Sequence, residues 1–154
     1  MNRYCVEKWQ NNKHLLEKAL NEHPDLENIC YADLMNLCVE HILNVGVNEH
    51  SSNLYRKEVV VADPCDFSGE LFFVIVPEYG FGDFLVSYTD YGSCTVCDAL
   101  QRISYEFAEE KTMTREEAVK DFMLICKDMV CNIVKPYNEG WRHDARFDTI
   151  EVEL

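Results

Sequence analysis

Apolar residues recur at near-helical spacing over residues 3–22. Cys5, Trp9, Leu16 and Leu20 carry the stripe, with Leu15 and Ala19 beside them. Glu7, Lys8, Lys13, Glu17 and Lys18 fall on the other side, so the pattern predicts an amphipathic helix. His23-Pro24 ends it. A second helix is expected from Pro24, which suits a first turn, with Asp25 and Glu27 at the positive end of the dipole. Leu26, Ile29, Cys30, Leu34, Leu37, Cys38, His41, Ile42 and Val45 make its buried stripe. Gly46 suits the C-cap. The short link predicts that the two helices pack as an antiparallel hairpin.

The period then changes. After a polar loop at 48–56, three apolar, β-rich runs follow, at 57–62, 70–76 and 83–89. Short connections rich in Gly, Pro and Asp predict an antiparallel meander. The middle run, LFFVIV, is too continuously apolar to be wet on both faces.

Helical spacing returns after Gly92 with Val96, Leu100, Ile103 and Phe107. A helix is expected to open on Cys94-Thr95-Val96-Cys97-Asp98, with Thr95 and Asp98 as its capping box. Thr114 and Glu117 announce a fourth helix, whose buried face is Ala118, Phe122, Ile125, Cys126, Met129, Val130 and Ile133; Pro136 stops it. Ile150, Val152 and Leu154 alternate with polar neighbours, a half-buried strand over 149–154. The expected fold is α+β, in one domain spanning 1–154: a helical hairpin, an antiparallel sheet of three to four strands and two further helices, in the order αα-βββ-αα-β.

Composition narrows the setting. No apolar run reaches the roughly 18–20 residues of a membrane span, and the first residues lack a signal peptide's apolar stretch. A cytosolic, bacterial-host location is the expectation. The eight cysteines then read as reduced thiols, most of them in the core. Fourteen bases against 28 acids give a formal charge of −14. Direct binding to nucleic acid or to an anionic membrane is disfavoured, because both are polyanions.

The charge is not spread evenly. Residues 58–101 hold eight acids, five Phe and three Tyr, and no Lys or Arg. A surface of carboxylates and tyrosines suits a basic partner. Carboxylates placed where phosphates would lie can fill a nucleic-acid-binding groove on another protein. The candidate partner-binding residues are Asp83, Asp90, Asp98, Tyr88 and Tyr91.

Cys94-x-x-Cys97 is the second candidate. At a helix N-terminus a thiolate is favoured, the setting of thiol-redox sites. The pair is also half of a tetrahedral zinc site, for which Cys65, Cys126, Cys131 and His143 are the remaining candidate ligands. The third reading is structural, with Cys94 filling the turn and Cys97 packed under the helix. Gly80-Phe81-Gly82 precedes no helix, so it is not a dinucleotide loop.

The run VSYTDYGSCTVCDALQ at 86–101 resembles a signature of small uncharacterised proteins of bacteria, phages and other mobile elements. In these a tyrosine-rich strand precedes Gly-Ser-Cys-x-x-Cys-Asp-x-Leu-Gln, matched here by Gly92, Ser93, Cys94, Cys97, Asp98, Leu100 and Gln101. The resemblance covers about 35 residues, including the strand before the motif, and implies a mobile-element setting but no established activity. The leading expectation is therefore a non-enzymatic binding or inhibitor protein that occupies a basic surface of a partner, such as a defence nuclease, with no cofactor. The alternative is a thiol-redox or zinc protein centred on Cys94 and Cys97.

Overall fold

A computed structural model describes residues 3–62, 69–80, 83–96 and 98–136. Helix α1 spans Arg3–Asn21 and buries Cys5, Trp9, Leu16 and Leu20, the stripe read from its spacing. The second helix starts later than expected. Leu26–Asn28 form one 3-10 turn, Ile29 is extended, and α2 runs over Tyr31–Cys38. The start is fixed by Asp33, whose carboxylate accepts the Cys30 N–H (2.9 Å). This satisfies a donor at the helix end. A π turn, Val39–Leu43, continues α2. Side chains of α1 reach its terminal carbonyls: Asn12 donates to Ile42 (3.0 Å) and Lys8 to Val45 (2.6 Å). Asn44 is the C-cap. Gly46, two residues on, takes φ +70°.

Three strands follow in the order β1-β2-β3, all antiparallel: β1 Val60–Ala62, β2 Gly69–Ile75 and β3 Leu85–Tyr91. The meander matches the expectation, but β3 begins and ends two residues later. Asp90 and Tyr91, beyond the expected end of the strand, stay in the ladder, opposite Glu70 and Gly69.

Helix α3, Ala99–Ser104, carries a π turn at Tyr105–Glu109. Helix α4 spans Arg115–Cys131 and opens on the expected Thr114/Glu117 capping box. Arg115 then donates to the carbonyls of Leu20, Asn21 and His23, tying the start of α4 to the end of α1. Beyond α4 the chain returns to the free edge of β3. Val134 exchanges two backbone hydrogen bonds with Val86 (3.0 and 2.8 Å).

The result is α+β, with α4 lying on one face of the sheet. One buried cluster runs through α1, α2, the sheet, α3 and α4, and includes Leu16, Met35, Phe73, Leu85, Ile103 and Phe122. The strand expected at 149–154 lies outside the described residues.

Candidate functional surface

Register sorts the strand residues into two faces. Phe73 pairs with Ser87 and Ile75 with Leu85, and all four are buried under the helices. The Ser87 hydroxyl donates to the Met129 carbonyl on α4, so even the polar member is satisfied. Alternation turns their neighbours the other way. Val60, Val74, Val86 and Val134 form one cross-strand row on that outward face, Ala62, Phe72 and Tyr88 the next, and Glu70 and Asp90 the last. Val60 is 57% exposed, Ala62, Glu70 and Asp90 are exposed, and the others are half-buried. The Phe72 and Tyr88 rings lie 6.3 Å apart at 42°, a tilted aromatic pair.

Two of the expected contact residues, Tyr88 and Asp90, therefore share this outward face. Tyr91 has the opposite parity, and its half-buried ring packs against the core. Asp83 is exposed just before β3, where it pairs with Lys135 (3.6 Å). Sequence reasoning missed Glu70, Phe72 and Val60. The signal for them was the strand alternation, once β2 is paired with β3.

Asp98 lies elsewhere and does something different. It is 4% exposed and forms the N-cap of α3. One carboxylate oxygen accepts the Tyr31 hydroxyl (3.0 Å) and the Gln101 N–H (2.9 Å), and the other accepts the Gly92 N–H (2.9 Å). The Gln101 side chain donates to the Gly92 carbonyl (2.7 Å). This cluster clamps the Gly92 peptide from both sides and joins the end of β3 to α2 and α3. Burial, then the nearby Asp98 charge and its hydrogen bond, push the Tyr31 phenol well above its ordinary value. Asp98 is thus an internal fastener with its carboxylate turned away from solvent.

The helix expected to open at Cys94 opens instead at Ala99, after a turn closed by the Asp98 N–H on the Cys94 carbonyl (3.0 Å). The capping pair is Asp98 with Gln101, not Thr95 with Asp98. Val96, expected on the buried stripe, is 94% exposed at this turn. Cys94 is exposed in the same turn; Cys97, Cys65 and His143 lie outside the described residues. Cys126 is buried, and the Cys38 thiol is hydrogen-bonded to it, with burial raising the Cys38 pKa. Cys131 is half-buried near Cys5. Among the described residues, no three His, Cys, Asp or Glu side chains converge as a metal-ligand set.

Clefts also open on the surface of the described residues. One, of about 280 Å³, runs along α3 and is lined by Thr95, Leu100, Gln101, Ser104, Tyr105 and Glu109. Another, of about 220 Å³, is lined by Tyr4, Asn53, Tyr55, Leu85 and Lys135. Among the described residues, no helix is long and apolar enough to cross a membrane.

No protein-family model matches the chain, and no curated protein or solved structure is significantly similar to it.

Proposed function

We propose that the protein is a non-enzymatic binding protein that occupies a basic surface of a partner. The observation that carries this reading is the outward sheet face. Glu70 and Asp90 stand side by side on it next to Tyr88, inside a stretch that holds eight acids and no Lys or Arg. The net charge of −14 steers such a surface towards cations and away from polyanions. The target class we favour is a nucleic-acid-handling enzyme, such as a defence nuclease, whose cationic groove the carboxylates fill. The likeness of residues 86–101 to a mobile-element signature supports that choice of target.

Affinity capture from a bacterial lysate tests the reading, with wild type beside the Glu70→Gln/Asp90→Asn variant. A basic protein should be retained at about 0.05 M salt and released by about 0.5 M, because the Debye length shrinks several-fold between them. The neutralised variant should retain less of it. Retention that ignores both salt and the double substitution would sink the charge-led reading.

A further inference from the structure

The outward face of the sheet constrains the partner's shape as well as its charge. On this side of the sheet Val60 and Ala62 are exposed, and Phe72, Val74, Val86, Tyr88 and Val134 keep part of their surface in water. Its centre is apolar, with the row Val60, Val74, Val86 and Val134 beside the Phe72–Tyr88 ring pair. A contiguous apolar patch with a polar rim marks an interaction site. It also has the anatomy of an interface core, dry and aromatic in the middle and charged at the margin. The two ends differ in charge. Glu70 and Asp90 close the face beyond the rings. At the opposite end Lys135 is paired with Asp83, and the exposed Arg56 and Glu58 precede Val60.

We propose that this face docks a protein segment whose apolar centre is followed, at one end, by two Lys or Arg side chains. The inference rests on the binding reading above and adds to it. Adjacent rows are two residues apart along the strands, or about 7 Å. The nearer of the partner's cations should then lie about 7 Å beyond the groups that touch Phe72 and Tyr88, and about 14 Å beyond those on the valine row. In an extended segment this reads apolar-x-apolar-x-cation-x-cation. A uniformly basic groove satisfies only the end of the face and leaves its apolar centre wet. A second copy of this chain is a poor occupant, because it brings a further charge of −14 against the same acids.

Synthetic peptides supply the test. One carries Val-Thr-Tyr-Thr-Arg-Thr-Arg at its centre; the second replaces both Arg with Gln; the third keeps the Arg pair in a Ser/Gly background. Each is titrated into the ¹⁵N-labelled full chain, and amide shifts are followed by NMR. The first should move the amides of Val74, Val86, Tyr88 and Asp90 and bind about ten-fold more tightly than either control, the worth of about 1.4 kcal/mol. Glu70→Gln/Asp90→Asn should reduce the first peptide to the affinity of the second. Phe72→Ser should weaken the first two and leave the third unchanged.

If the third peptide binds as tightly as the first, with shifts away from these amides, the docking site fails and the charge-led reading stands. If the Gln and Arg peptides bind this face equally, the cation requirement fails and the charge-led reading loses its support at this surface. Absence of shifts on the face with any peptide overturns the site. So does a dimer in sedimentation that dissociates on Phe72→Ser, which assigns the face to a second copy.

Discussion

The two faces of the sheet are built from the same residue types and have different fates. Inward, Phe73, Ile75, Leu85 and Ser87 are all fully or almost fully buried, and the one hydroxyl has a carbonyl partner on α4. Outward, Phe72, Val74, Val86 and Tyr88 keep part of their surface in water, and Glu70 and Asp90 end the row. Phe72 and Phe73 are neighbours in sequence and opposites in environment. The apolar content of a strand therefore does not tell a stability element from a recognition element. What tells them apart is whether a helix lies on that parity.

The sharpest way to break the comparison is to truncate each phenylalanine in turn. Phe73→Ala opens a cavity in the core and should cost about 3–5 kcal/mol. Phe72→Ala removes half-buried surface and one cross-strand ring contact, and should cost about 1 kcal/mol or less. Urea unfolding of both variants reads the difference directly. Equal losses would mean that the outward face is as much a part of the core as the inward one.

Most of the element types were legible in the sequence. The stripe Cys5, Trp9, Leu16 and Leu20 and the Thr114/Glu117 box are local signals, and the fold keeps them. The two faces were also implicit, because alternation is a property of the strand itself. Boundaries depended on less local matters. Asp90-Tyr91-Gly92 has turn composition, but pairing with Glu70 and Gly69 holds Asp90 and Tyr91 in the ladder. Pro24 suits a helix start, but Asp33 sets the start seven residues later by capping Cys30. Asp98 was the least legible. Its acid character pointed to the surface, and the residue that takes it inside is Tyr31, 67 positions away. A side-chain hydrogen bond across that distance leaves no periodic trace.

Asp98 is therefore the next place to press, since it belongs to the packed side although its composition argues for the wet one. Asp98→Ala removes the acceptor for the Tyr31 hydroxyl and for the Gly92 and Gln101 N–H groups. Buried donors left unsatisfied, together with the loss of an N-cap, should cost about 2–4 kcal/mol. Tyr31→Phe leaves two of the three donors in place and should cost about 1–2 kcal/mol. In a double-mutant cycle the two losses should fall short of additivity by about 1 kcal/mol or more, as contacting residues do. Additive losses would show that Tyr31 and Asp98 do not depend on each other. A near-neutral Asp98→Ala would return this carboxylate to the surface and to the pool of contact residues.

The smallest expected effect tests the packed side by titration. Burial, with the neighbouring Cys131 adding to it and Lys135 opposing it, pushes the Cys5 thiol from 9.0 up to about 12. A thiol whose pKa is higher in the folded chain favours folding fully below its unfolded value and loses that contribution as pH rises. Between pH 9 and 12 the unfolded chain releases this proton while the folded chain holds it, so stability must fall. At pH 10 the loss from this one group should be about 1.4 kcal/mol relative to pH 8. Tyr31 and Tyr55, both raised chiefly by burial, add to the slope at higher pH. Cys5→Ala lacks the thiol, so its stability should fall less steeply between pH 8 and 10, by about that same amount. Urea midpoints at the two pH values measure it. Parallel pH dependence in wild type and variant would mean that Cys5 is as open to water as the outward face, and that the packing under the helices is looser than its side-chain contacts describe.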